Sequence, residues 1–179
     1  MREWSVHGDA FALHALRLIE ANLEAAVHTP DDETARGLML LAASLAIAPT
    51  SSGALGIAHS LAHPCGARFD VPHGVAIAIN LPAAIEYNAA GGEDIAARYR
   101  SVAQALALDC ATAEIGPALA EHVRALARRL GLPSRLAEVG VPESAIADLA
   151  AAAIGDACTL VNPREPTEQE LAGLYRQAL

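Results

Sequence analysis

Apolar residues recur at helical spacing almost from one end of this chain to the other, and no stretch alternates in the manner of a half-buried strand. Between Val6 and Val27, for example, Phe11, Leu16, Leu18, Ile19 and Leu23 fall near a 3.6-residue period. The composition explains why helices suit the chain: aromatic residues make up only 3%, while alanine and leucine, which lose little side-chain freedom in a helix, dominate. With 53% hydrophobic and 18% charged residues there is enough apolar surface for a packed core, which excludes a disordered chain. The expectation is an all-α fold, a multi-helix bundle of roughly seven to nine helices, forming a single domain over residues 1–179.

Local punctuation places the helices. Thr29-Pro30-Asp31-Asp32-Glu33 reads as a helix start, with Thr29 as cap, Pro30 in the first helical position and three acids complementing the dipole. That helix should run to about Ala48, before Pro49-Thr50-Ser51-Ser52-Gly53. A third, from about Ala54 to Leu61, should end at Pro64, and a fourth should start at His73 or Gly74 and reach about Asn88. Ala89-Ala90-Gly91-Gly92 marks a turn. Further helices are expected over Glu93–Leu106, over Pro117–Leu130 with Gly131 as its C-cap, and from Pro142 to about Ile154. Thr167 and Glu170 form the capping box of the last one.

Charge and cysteine usage narrow the function classes. The net charge is −9, from 21 acidic residues against 12 basic ones, all arginine, so no nucleic-acid footprint is present. Arg128-Arg129 is the one adjacent basic pair and reads as a solvated helix face. Cys65, Cys110 and Cys158 are widely spaced, odd in number and without a CxxC pair, which fits free thiols in a reducing compartment. The chain shows no signal peptide, and its longest apolar runs, Leu38–Ala48 and Val75–Ile79, are too short to span a bilayer. A cytoplasmic protein that contacts no membrane is expected.

Chemistry concentrates in the histidines. His7, His14, His28 and His122 are scattered, and each by itself reads as an ordinary surface or core residue. His59, His63 and His73 are clustered. His59 and His63 stand at i, i+4 and share a helix face, and a proline-containing loop can fold His73 back beside them. Imidazole suits Fe, Zn, Cu or Ni, so a metal or catalytic site is one reading; capping or packing is the other. HExxH is absent, and no Glu stands three residues before His59, His63 or His73, which removes the zinc-protease and di-metal carboxylate readings.

The run from Gly56 through His59, His63, Gly66, Pro72-His73-Gly74 and an apolar stretch to Leu81-Pro82 resembles the signature of the iron-containing (group III) alcohol dehydrogenases. Tyr87-Asn88, Asp156-Ala-Cys158 and Asn162-Pro163-Arg164-Glu165-x-Thr167 resemble further landmarks of that family. The resemblance implies that the chain corresponds to the family's C-terminal helical metal-binding domain. It implies that His59 and His73 are two of four ligands to Fe²⁺, in some members Zn²⁺, and that His63 is a catalytic residue near nicotinamide and substrate, where it helps proton exchange. The ion's task would be Lewis-acid polarisation of the alcohol or carbonyl oxygen.

The chain also departs from the family pattern. The other two ligands, in the spacing D-x-x-x-H, are expected upstream of Met1. Asp9 and His14 are five apart, about 500° rather than about 400° around a helix of 3.6 residues per turn, so they face different ways. The N-terminal nucleotide-binding domain is expected to be absent, since no glycine-rich strand-to-helix turn occurs and Gly53-Ala-Leu-Gly56 lies between helices. NAD(P) would then bind only if a nucleotide-binding partner polypeptide supplied its site, and the chain by itself would be inactive. The alternative is a non-catalytic metal-binding or interaction module, whose uncovered apolar face makes a homo-oligomer the expected state. Pro49-Thr50-Ser51-Ser52 stands where the family places an aromatic residue and an asparagine that shape the substrate pocket. Asp70 could orient an imidazole, although capping the next helix is the simpler account, and Cys65 reads as a packing residue.

Overall fold

The computed structural model describes residues 6–47, 55–109 and 114–179. In them nine α-helices follow one another: α1 Val6–His28, α2 Glu33–Ile47, α3 Ile57–Phe69, α4 His73–Ala89, α5 Glu93–Ala105, α6 Ile115–Arg129, α7 Ile146–Ile154, α8 Ala157–Leu160 and α9 Glu168–Ala178. Short 3-10 turns cover Leu136–Val139 and Glu143–Ala145. No strand occurs among the described residues, so the all-α reading holds. None of the described helices is long and apolar enough to cross a membrane.

The main core lies where α3, α4, α7 and α9 meet, with Ile57, Leu61, Leu149, Leu171 and Tyr175 fully buried. A smaller cluster of Ala103, Ile115 and Leu119 joins α5 and α6. α1 and α2 form a hairpin against this body and bury only Gly8 and Ala15 from α1, and Ala35 and Ala42 from α2.

Several expected boundaries move. α2 begins at Glu33, because Asp32 rather than Thr29 caps it, its Oδ1 accepting from the Ala35 N–H at 2.9 Å. α3 starts at Ile57 and does not stop before Pro64 but runs through it to Phe69. An interior proline costs about 3 kcal/mol, whereas each large apolar side chain fully buried contributes about 1.5–3 kcal/mol. Ile57, Leu61 and Cys65, all fully buried along one face, therefore outweigh it. Pro142 leads into a 3-10 turn, and α7 begins only at Ile146. The one-turn α8 was not foreseen. Ala48, Pro49–Gly53, Ala54 and Cys110 lie outside the described residues.

Local signals elsewhere act as read. Gly131 takes φ +73° after α6, and Thr167 and Glu170 form a reciprocal capping box at the start of α9.

Candidate metal centre

The site is built at the junction of α3 and α4, and its placement starts with Gly56. A Cβ there would sit 2.8 Å from Asn162 Oδ1, so only glycine fits. That oxygen accepts the Ile57 N–H at 3.1 Å, satisfying a free donor in the first turn of α3. Asn162 is itself held by Asn88, whose side-chain amide exchanges bonds with it at 3.1 and 2.6 Å, and by the Arg164 carbonyl at 2.6 Å.

Arg164 stacks over the Tyr87 ring at 3.8 Å and donates to the Tyr87 carbonyl at 3.0 Å and to Glu170 at 2.9 Å. Burial pushes the Tyr87 hydroxyl up to about 12, so it remains a donor, within reach of the Glu165 carbonyl and Glu170 Oε2. The Tyr87-Asn88 and Asn162–Thr167 landmarks are thus the clamp that fixes the N-terminus of α3 against the C-terminus of α4.

With α3 fixed, His59 and His63 project one turn apart, and the reversal over Asp70-Val71-Pro72 returns the chain so that α4 opens at His73. Asp70 makes that reversal possible: it takes the left-handed conformation, φ 55°, and its N–H closes α3 on the Gly66 carbonyl. It therefore caps α3 from behind; α4 has no side-chain cap, and neither expected role for Asp70 applies. Cys65 is buried, its thiol donating to the Leu61 carbonyl at 3.3 Å and pushed up to about 11 by burial.

The structure brings the three clustered imidazoles together. Ring centres lie 5.5 Å apart for His59 and His73, 5.6 Å for His63 and His73, and 6.0 Å for His59 and His63. Two imidazoles sharing one ion through bonds of about 2.0–2.1 Å at a tetrahedral angle hold their ring centres about 5 Å apart. The spacing of His59 and His73 fits that requirement to within half an ångström or so. Burial, then the neighbouring His73 and His63, lower the pKa of His59, which favours the neutral imidazole that a metal needs.

His63 has a partner the sequence did not disclose. Its Nδ1 stands 2.7 Å from Asp156 Oδ2, while the other carboxylate oxygen accepts the Cys158 N–H at 2.8 Å and so caps α8. The Ser60 hydroxyl reaches that same oxygen at 3.4 Å, and the buried Thr159 hydroxyl lies 2.8 Å from Ser60 Oγ. Among the described residues, one trio of donor atoms lies within 4.8 Å of one another: His63, Asp156 and Cys158. His59 and His73 stand beside that trio. Asp156 and Cys158 had stood out in the sequence as landmarks, but nothing local links them to a histidine 93 positions away.

Several other charged residues and histidines are engaged elsewhere, as when His28 Nε2 meets the Arg129 carbonyl at 3.1 Å. Asp9 pairs with Arg98 of α5, and His122 pairs with Glu20 at 2.8 Å. Arg128 and Arg129 pair with Glu121 and Glu24 at 2.6 and 2.7 Å.

A helical bundle that converges three imidazoles from two consecutive helices on one surface is a histidine-rich candidate metal domain. Residues 5–179 match the Fe-containing alcohol dehydrogenase family, C-terminal, and the chain belongs to that family. It is 37% identical over 173 residues to lactaldehyde reductase of Escherichia coli (strain K12), covering 95% of this chain and 44% of that protein. It is 33% identical over 174 residues to the NAD-dependent methanol dehydrogenase of Bacillus methanolicus, covering 96% of this chain and 45% of that one.

Among solved structures, 1,3-propanediol oxidoreductase superposes with a TM-score of 0.91 at 31% identity, over 98% of this chain and 46% of that one. The alcohol dehydrogenase from Oenococcus oeni superposes with a TM-score of 0.90 at 27% identity, over 96% and 45%. The chain thus spans less than half the length of these relatives and corresponds to the C-terminal part of the family. At family level, that membership carries iron and nicotinamide cofactors.

Proposed function

We propose that this chain is the metal-binding helical half of an NAD(P)-dependent alcohol or aldehyde oxidoreductase. The observation that supports it most directly is the approach of His59 and His73 to a ring separation of 5.5 Å. These two imidazoles would supply two of the ligands to Fe²⁺ or Zn²⁺; when bound, the ion supplies Lewis-acid polarisation of an alcohol or carbonyl oxygen. His59 enters this role neutral. His63, its Nδ1 tied to Asp156, keeps a fixed ring orientation and offers its other nitrogen for proton exchange with the substrate oxygen. Leu55, Ile77, Leu81, Ile85 and Tyr99 line an apolar pocket beside His59.

On this reading the nicotinamide and the remaining metal ligands come from a nucleotide-binding region or partner polypeptide, and the setting is cytoplasmic. The purified chain, given Fe²⁺ or Zn²⁺, NAD(P) and small alcohols, is expected to show no turnover. Mixing it with a separately produced N-terminal half of a relative such as lactaldehyde reductase is expected to restore activity that His59→Ala and His73→Ala abolish. Turnover by the chain alone would refute the need for a second part.

A second reading has one observation in its favour. The α1–α2 hairpin exposes Val6, Phe11, Leu40, Leu41 and Ile47, as a non-catalytic interaction module or homo-oligomer would require. Light scattering after size-exclusion chromatography distinguishes the two: this reading expects a dimer or larger species that Leu40→Glu converts to monomer.

A further inference from the structure

Among the described residues, the group of three metal-type donor atoms that lie together is not built on the His59–His73 pair. It is His63, Asp156 and Cys158, whose nitrogen, oxygen and sulfur lie within 4.8 Å of one another. Three features make it more than a chance cluster. Asp156 spends Oδ1 on capping α8 at Cys158 N–H, which leaves Oδ2 directed at His63. The Cys158 sulfur stands within 4.8 Å of the Asp156 carboxylate, so the N–H and the sulfur of one residue face one carboxylate. Finally, the scaffold beneath is rigid, since Ser60 and Thr159 are buried and bonded to each other and to the Ala153 carbonyl. The side chain of His63 is 41% exposed and that of Asp156 20%, so an ion can enter from solvent and keep a water as fourth ligand.

We propose that His63 Nδ1, Asp156 Oδ2 and the Cys158 sulfur form a binding site for a borderline-soft divalent cation such as Zn²⁺ or Co²⁺, separate from the His59–His73 pair. One nitrogen, one carboxylate oxygen and one thiolate suit such an ion, which takes Cys, His and Asp in tetrahedral sites with bonds of about 2.0–2.3 Å. The nitrogen and the oxygen, 2.7 Å apart, need to separate to roughly 3.3 Å, the distance between two ligands at bonds of about 2.0–2.1 Å. A side-chain rotation of His63 accomplishes this without moving α3.

Binding breaks the Cys158 S–H bond and releases its proton to water, and a proton carried on His63 Nδ1 leaves that nitrogen as the ion takes its lone pair. No electrons are exchanged. The site does not depend on the dehydrogenase reading; an ion in it would take the His63 Nδ1 that otherwise bonds Asp156.

The test is anaerobic titration of the purified chain with Co²⁺. Expected are a near-ultraviolet thiolate-to-cobalt charge-transfer band that saturates at one ion per chain, and release of protons detected with a pH indicator. The band should vanish in Cys158→Ser, weaken at least tenfold in apparent affinity in Asp156→Asn, and persist in the His59→Ala/His73→Ala double variant. Zn²⁺ should slow alkylation of Cys158, mapped by peptide mass, by tenfold or more, a readout that needs no variant to fold.

Cobalt bound without the band overturns the proposal, as does a band that survives Cys158→Ser, or alkylation of Cys158 unchanged by Zn²⁺. Failure of the dehydrogenase reading shows separately, as a total cobalt stoichiometry, counted apart from the thiolate band, that the His59→Ala/His73→Ala change leaves unaltered.

Discussion

The α1–α2 hairpin and the α3–α4–α7–α9 core are both helical and both rich in alanine and leucine, yet they are held by opposite means. In the core, large side chains such as Leu149, Leu171 and Tyr175 disappear from solvent, and the Tyr175 hydroxyl donates to the Leu61 carbonyl at 2.8 Å. In the hairpin, Val6 is 82% exposed and Leu40 73%. Its links to the body are side-chain pairs: Asp9 with Arg98, Glu20 with His122 and Glu24 with Arg129. Helical periodicity alone therefore does not say how firmly a helix is held; the difference lies in what the apolar stripe meets. The candidate metal centre rests on the firm part, as a site that must hold imidazoles within a few tenths of an ångström requires.

The comparison breaks most visibly in unfolding experiments. Leu149→Ala is expected to cost about 2–5 kcal/mol, because the fully buried side chain leaves a cavity. Leu40→Ala, equally large in chemistry, should stay within about 0.5 kcal/mol of wild type, as for most exposed substitutions. Urea melts of the two variants followed by circular dichroism check this, and similar midpoints would mean that the hairpin shares the core after all.

Next in size is the joint that links core and site. Gly56→Ala places a methyl group 2.8 Å from Asn162 Oδ1, and Asn162 is fully buried and tied on both sides, so it cannot step aside. The expected loss is about 1–3 kcal/mol from overpacking. Since His59 lies on the first turn of α3, metal affinity should fall along with stability. A variant that loses stability and retains wild-type affinity in calorimetry would uncouple the clamp from the site.

A smaller effect is expected at the start of α9. Thr167→Ala removes a cap worth about 0.5–2 kcal/mol. The Thr167 backbone N–H, with its hydroxyl, the Tyr87 hydroxyl and Arg164 also contributing, holds the Glu170 carboxyl below its ordinary value of 4.5. A carboxyl lowered by folding stabilises fully above that ordinary value and loses the contribution as pH falls through the lowered one. Wild type should therefore lose stability below about pH 4.5 more steeply than Glu170→Gln, as thermal melts across that range will show.

What the sequence revealed, and what it withheld, follows the same division between local and distant causes. The capping box at Thr167 and Glu170, the C-cap at Gly131 and the convergence of His59, His63 and His73 are set within one or two turns or one short loop, and each was legible. The passage of α3 through Pro64 was not, because the burial that overrides the proline comes from the core α3 shares with α4, α7 and α9. Thr29 and Asp32 are both competent caps, and only the turn between them decides for Asp32. The pairing of Asp156 with His63, and of Asn162 with the first turn of α3, joins residues 93 and 105 positions apart. Their motifs marked them as landmarks of a family, but no spacing along one chain could say what they touch.

The smallest expected effect bears on the hairpin alone. Ion pairs between exposed side chains contribute about 0.2–1 kcal/mol each, and at 1 M salt the screening length shrinks to about 3 Å. Raising NaCl should therefore loosen α1 from α5 and α6, where Asp9 pairs with Arg98 and Glu24 with Arg129. Amide hydrogen exchange in α1 and α2 should quicken several-fold between low and high salt, while α3, α4 and α9 hold steady. Glu24→Gln should reproduce part of that change at low salt and blunt the remaining response, because one of the screened pairs is already gone. If exchange in α1 ignores salt, docking must instead reside in the few small residues it buries, Gly8 and Ala15, and substituting those by larger side chains would then be the change that releases it.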